Sequence, residues 1–148
     1  MMQTNWTIRA VEAADGPIVC RHRFNAAETP DGHYSCYLSW LELALAGGTY
    51  VGLVARCDAH VIAGAGLVLL DWGPTRDDPG YLRGRIVNVF TEPEWRRQGV
   101  ARQLIEELIR LGEQAGIGTF SLGASEKGAT LYRQLGFVRY EEEMLRRG

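Results

Sequence analysis

The order of predicted elements points to an α/β (α+β) fold, a mixed, mostly antiparallel central sheet flanked by helices. Three observations carry that expectation. Residues 50–56 and 61–70 are two apolar, β-branched runs joined by Cys57-Asp58-Ala59-His60, the pattern of an antiparallel hairpin. Residues 100–115 place Val100, Leu104, Leu108, Leu111 and Ala115 on one helical face and Arg102, Glu106, Glu107, Arg110 and Glu113 on the other. The chain as a whole runs strand, two helices, three strands, helix, strand, helix, strand, without internal repeat or linker, an order that buries a sheet under helices.

Taken in order, residues 4–11 carry Trp6 and Ile8 and read as a first strand, ended by Asp15-Gly16-Pro17 with the proline early in a helix over 18–27. Thr29-Pro30-Asp31-Gly32 breaks the chain. Apolar spacing at Tyr37, Leu38, Leu41 and Leu45 predicts a second helix over 34–46, ended by Gly47-Gly48. The hairpin follows. Residues 72–83 hold two prolines and are expected to form a loop or mobile flap. Residues 85–91 form the next strand, stopped by Pro93. The long helix pairs Glu106 with Arg110 at the i,i+4 offset and ends at Gly116. A short strand over 119–122, a helix over 125–135 capped by Ser125, and a final strand over 137–145 complete the chain; its Glu141-Glu142-Glu143 run reads as a solvated edge or turn.

The 148 residues fit one domain, and 46% hydrophobic with 23% charged residues is ordinary globular composition. A net charge of −2 argues against nucleic-acid binding, which needs a basic face. The apolar runs are too short for a membrane span, and residues 1–14 lack the pattern of a signal peptide, so a cytoplasmic location is expected. Cys20, Cys36 and Cys57 match no zinc or redox spacing and read as buried free thiols, and the scattered His22, His33 and His60 give no metal site.

The stretch from Ile86 to Ala101 carries the chemistry. A strand runs into an arginine-rich turn, and Gly99 and Ala101 open the long helix. Amides in a helix's first turn lack internal partners and sit at the positive end of its dipole, which suits a pyrophosphate. Small residues let the phosphate approach, and Arg96, Arg97 and Arg102 add full charges. Two other phosphate motifs fail. Gly123-Ala-Ser-Glu-Lys-Gly-Ala-Thr130 has its lysine before the second glycine, and Gly64-Ala-Gly66 lies inside a strand without a third glycine.

Arg96-Arg97-Gln98-Gly99-Val100-Ala101 resembles the (Gln/Arg)-x-x-Gly-x-(Gly/Ala) signature of the GNAT superfamily of N-acetyltransferases. Leu131-Tyr132-Arg133-Gln134-Leu135-Gly136-Phe137 is similar to that family's Leu-Tyr-x-x-Leu-Gly-Phe segment, and Asn88 to Trp95 to its strand-and-turn approach to the signature. The likeness is close over about residues 85–144 and rests on element order before that. It implies a GNAT-like fold and acetyl-CoA as co-substrate, with no metal. The backbone of Val89, Phe90 and Thr91 would bind the pantetheine arm as a neighbouring strand does, between strands that splay apart. Gln98, Gly99, Val100, Ala101 and Arg102, with Arg96 and Arg97, would hold the pyrophosphate. Ser125 stands where many members have an asparagine that touches the arm, and Arg97 where glycine is frequent. The amide near Val89 would face the acetyl carbonyl, and Tyr132 matches the tyrosine that protonates the departing thiolate.

The expected activity is direct transfer of the acetyl group to a primary amine of a small molecule or peptide. Glu92, at the end of the central strand, is the first candidate for the base that deprotonates the amine, with Glu28, His33 and Asp77-Asp78 as rivals; Asn88 can position a substrate but not act as a base. The acceptor pocket is expected from the first two helices, residues 25–37 and the 72–83 loop. The resemblance allows a homodimer through the final strands. The alternatives are a non-catalytic acyl-CoA-binding or sensor module and an interaction domain whose arginine turn binds carboxylates.

Overall fold

The computed structural model describes residues 5–24 and 32–148. The chain forms β1 (Thr7–Ala10), α1 (Gly16–Phe24), α2 (His33–Gly47), β2 (Tyr50–Cys57), β3 (His60–Asp71), β4 (Leu82–Thr91), α3 (Val100–Gln114), β5 (Phe120–Leu122) and α4 (Glu126–Gln134). Short 3-10 turns at Ala13–Asp15 and Pro93–Trp95 lead into α1 and toward α3.

The sheet is ordered β1-β2-β3-β4-β5. Neighbours are antiparallel except β4 and β5, which run parallel, so the sheet is mixed as expected. One face packs on α3, where Leu104, Ile105 and Leu108 are fully buried against Leu53, Leu67 and Ile86. The other is covered by α1 and α2, with Val19, Leu41 and Ala44 around Tyr50. Arg9 of β1 forks onto Asp15 at 2.7 and 2.9 Å, and Asp15 also accepts from the Glu12 amide, which fixes the turn into α1.

Three expectations are corrected. No strand forms over 137–145. The Phe137 amide closes on the Tyr132 carbonyl at 3.0 Å, and Val138, Tyr140, Met144 and Leu145 then stand exposed. Local alternation cannot make a strand unless a neighbouring backbone takes up its N–H and C=O groups. The loop expected before β4 does form, and it is fastened. Arg83 is buried beneath it and donates to the Gly80 carbonyl at 2.9 Å and the Thr75 hydroxyl at 3.1 Å, while pairing with Asp78 at 3.2 Å. On α3, Glu106 pairs with Arg102 at 3.2 Å, because Arg110 is taken by Glu107. Of the free thiols, Cys20 is buried, Cys57 half-buried and Cys36 exposed.

Candidate active site

The centre of the site is an irregularity in β4. Its register against β3 passes from Val87↔Gly66 to Phe90↔Gly64, so Asn88 and Val89 together oppose Ala65. This is a β-bulge, which leaves one residue of the bulged strand out of the ladder. Asn88 takes φ +58°, a left-handed conformation that asparagine tolerates better than most residues. Its side chain is held from three directions. Nδ2 donates to the Tyr37 hydroxyl at 2.7 Å and the Tyr50 hydroxyl at 3.0 Å, and Oδ1 accepts from Arg23 at 3.1 Å. Asn88 therefore ties the bulge to both covering helices and to β2. Gly66 makes room for the Tyr50 hydroxyl, which lies 2.1 Å from where a Cβ would stand. Burial raises the Tyr50 phenol pKa well above its ordinary value, so it remains protonated.

Next to the bulge the sheet opens. β4 and β5 pair only from Gly84↔Phe120 to Ile86↔Leu122, and beyond that point a cleft of about 700 Å³ lies between them. Val89, Ser125 and Tyr132 share it, so three sequence-predicted residues from a strand, a helix cap and a helix are brought together. Ser125 also accepts from the Gly128 amide at 3.4 Å and so caps α4 as expected. Tyr132 packs edge-on against Phe137 and is half-buried, and desolvation raises its pKa, which keeps the phenol protonated at neutral pH.

The arginine turn lies where β4 passes into α3. Arg97 at φ +63° and Gly99 at φ +91° both adopt left-handed backbone, and nothing stands within 4 Å of where a Gly99 Cβ would be. The first helical bond closes from the Gln103 amide to the Gly99 carbonyl at 3.1 Å, and the first turn of α3 holds no carboxylate. Arg96 donates to the Thr91 carbonyl at 3.1 Å and Gln98 to the Glu94 carbonyl at 3.1 Å. Val100 is buried, which seats the helix start on the core, and Trp6 reinforces it by packing edge-on against Trp95 and donating to Gln103 at 2.8 Å.

Other candidates are placed apart from the cleft. Glu92 follows the last residue of β4, with its amide on the Ile62 carbonyl, and is not among the lining residues; Phe90 stacks on His22. Asp78 accepts from Thr119 at 2.5 Å and from the Gly80 amide, which holds its carboxyl below the usual range. It anchors the loop. His33 opens α2 and does not line the cleft, and Glu28 lies outside the described residues.

The first helix was expected at the acceptor pocket, but the residues at its end that line the cleft were not singled out. His22, Arg23 and Phe24 all line the cleft, as does Arg85. His22 is only 6% exposed, its Nε2 has no hydrogen-bond partner among the described residues, and burial pushes its pKa down to about 4. The one available signal was the charge of Arg21-His22-Arg23 on an otherwise buried helix.

An acetyltransferase (GNAT) domain model matches residues 48–139, from β2 through α4 and just beyond. A glucosamine 6-phosphate N-acetyltransferase from Trypanosoma brucei brucei is 30% identical over 95 residues, 63% of this chain; the match spans 65% of that relative's length. A GCN5-related N-acetyltransferase from Ralstonia eutropha superposes with TM-score 0.85 at 29% identity, covering 96% of this chain and 97% of that one. A predicted acetyltransferase from Clostridium acetobutylicum, solved with acetyl-CoA, superposes with TM-score 0.89 at 22% identity over 96% of each chain. With a split sheet, a bulged central strand and a small-residue helix start in the matched region, this chain belongs to the GNAT acetyltransferase family.

Proposed function

We propose that the chain transfers the acetyl group of acetyl-CoA to a primary amine by direct attack. The observation that carries this is the parting of β4 and β5 after Ile86↔Leu122, which puts the bulge at Asn88–Val89 and the Tyr132 phenol on one cleft. A thioester carrying a diphosphate fits the residues present. Among the described residues nothing stands within 4 Å of where a Gly99 Cβ would be, no carboxylate sits in the first turn of α3, and Arg96, Arg97 and Arg102 flank Gly99 in the sequence. Gln98 to Arg102 would hold the diphosphate through backbone amides, and Val89, Phe90 and Thr91 would bind the arm along the β4 edge, with Ser125 opposite. Bound there, acetyl-CoA supplies an activated acyl group. The Val89 amide, at the bulge, would donate to the carbonyl oxygen as negative charge gathers on it, the kind of contact worth ~10²–10³ in rate. Tyr132, kept protonated by desolvation, would give its proton to the departing sulfur.

No Asp or Glu lines the cleft among the described residues. In this reading the amine enters as the free base or loses its proton to water, and Glu92, three residues beyond the cleft-lining Val89, is the alternative base. The deciding experiment is thiol release from acetyl-CoA against a panel of amines, with Tyr132→Phe beside the wild type. The variant should lose ~10²-fold in turnover while binding coenzyme A normally. Tight coenzyme A binding with no amine-dependent thiol release would instead mark a non-catalytic acyl-CoA-binding module.

A further inference from the structure

The proposal concerns the acceptor and rests on the cleft being the amine site of the proposed acetyl transfer. The chain as a whole is slightly acidic, with 18 Asp and Glu against 16 Lys and Arg. The cleft walls reverse that balance: among the described residues they carry Arg23 and Arg85 and no carboxylate. Neither arginine belongs to the turn at 96–102, none of whose residues lines the cleft. Arg23 comes from the last turn of α1, and Arg85 stands on β4 ahead of the bulge.

Both guanidinium groups are held, and among the described residues neither meets a carboxylate. Arg23 lies 4.4 Å over the Tyr37 ring and donates to Asn88 Oδ1 at 3.1 Å. Arg85 donates to the Ser121 hydroxyl at 3.2 Å and reaches to 3.6 Å from where a Gly123 Cβ would stand. No Asp or Glu among the described residues pairs with either one. Elsewhere in the same molecule arginines do find carboxylates, as Arg9 and Arg83 show at 2.7 and 3.2 Å. A guanidinium offers five N–H donors in a planar fork that matches carboxylate or phosphate oxygens. Fixed by an aromatic face and a side-chain amide, such a fork loses little further freedom on binding.

We infer that the amine acceptor carries an oxyanion, a carboxylate or a phosphate monoester, which Arg23 and Arg85 bind while its amino group faces the Asn88–Val89 bulge. Acceptors of this class are amino acids and phosphorylated amino sugars. Polyamines and polycationic amino sugars are disfavoured by the same two charges. The neutral, buried His22 adds no positive charge at neutral pH, so the preference is set by the arginines.

The test uses matched pairs that differ only in the anion: D-glucosamine 6-phosphate against D-glucosamine, and L-phenylalanine against L-phenylalaninamide, with spermidine as the polycation. Binding is measured by calorimetry to protein saturated with coenzyme A, so that the diphosphate site is already filled, and thiol release is followed in parallel. In at least one pair the anionic member should bind at least ~10-fold more tightly, as charge-assisted bonds do. The pair with the larger gap tells carboxylate from phosphate. Arg23→Gln and Arg85→Gln should each shrink that gap ~10-fold while leaving coenzyme A affinity within about 2-fold. Arg23 is exposed and Arg85 only half-buried, so both variants are expected to fold. Equal binding within both pairs, preference for spermidine, no binding at millimolar concentration, or a gap that survives in the double variant overturns the inference. Anion-selective binding without thiol release sinks the acetyl-transfer reading and leaves this one standing; thiol release without anion selectivity does the reverse.

Discussion

Acidification should destabilise this protein in part through His22. The imidazole is 6% exposed, stacked on Phe90 with ring centroids 4.9 Å apart, and its Nε2 has no partner among the described residues. Burial lowers its pKa from 6.5 to about 4. Between those values the unfolded chain binds a proton at this position and the folded one does not, so stability rises with pH across that window and falls as pH drops through it. At ~1.4 kcal/mol per pKa unit the loss is about 3 kcal/mol once pH is below 4, and about 2–3 kcal/mol between pH ~7.5 and ~4.5. That is a large share of the ~5–15 kcal/mol of a typical domain. Urea unfolding of the wild type and His22→Gln at both pH values isolates the effect, because Asp15, Asp78 and Glu107 titrate alike in the two proteins and cancel in the difference. Whatever the variant costs at pH ~7.5, the wild type should lose about 2–3 kcal/mol more than the variant on acidification, roughly 1 M in midpoint. Parallel losses in the two proteins would show that His22 ionises freely in the fold and refute the argument.

Gly66→Ala puts a methyl group 2.1 Å from the hydroxyl of a buried Tyr50 that Asn88 also holds, so unfolding free energy should fall by about 1–3 kcal/mol with a loss of turnover as the bulge is disturbed. Gly128→Ala places a Cβ 2.9 Å from the Tyr132 ring; turnover should drop ~10-fold with coenzyme A affinity unchanged and thermal stability level or higher, since alanine is the better helix former. With no carboxylate on the described cleft walls, the rising limb of kcat/KM against pH should move with the pKa of whichever amine is supplied, and a limb fixed at one pKa for all amines would reveal a base on the protein.

How much of this was legible in the sequence depends on whether a feature is local. The β2–β3 hairpin and α3 follow from periodicity, and the observed bounds of both lie within a residue of those expected. The turn before α3 follows from its glycine and arginines. The strand expected over 137–145 failed because alternation does not supply a partner, and the 72–83 loop was legible from its local prolines while its anchor, a buried Arg83 reaching Gly80, Thr75 and Asp78, is a product of the fold. Asn88 is the sharpest case. In the sequence it is one polar residue in a strand; in the structure Tyr37 and Tyr50, distant in the chain, give it a left-handed backbone and a fixed amide. Arg23 and Arg85 were missed for the same reason, since an unpaired charge is a statement about what the fold does not bring near it.

The bulge and the split are better understood as one device than as two. β4 pairs with β3 along its length but with β5 only as far as Ile86, so its next peptide groups face the cleft with no strand to receive them. Backbone N–H and C=O groups must bond to something, and in an open cleft water can serve until a ligand replaces it. A ligand with amides spaced like a peptide meets that edge as an added strand would. The bulge breaks the regular register of β4 against β3 at the near end of that edge. A longer β5 would have closed the cleft. The proposed chemistry therefore depends on peptide groups that the sheet leaves for a ligand, beside a bulge whose Asn88 is fixed by Tyr37 and Tyr50.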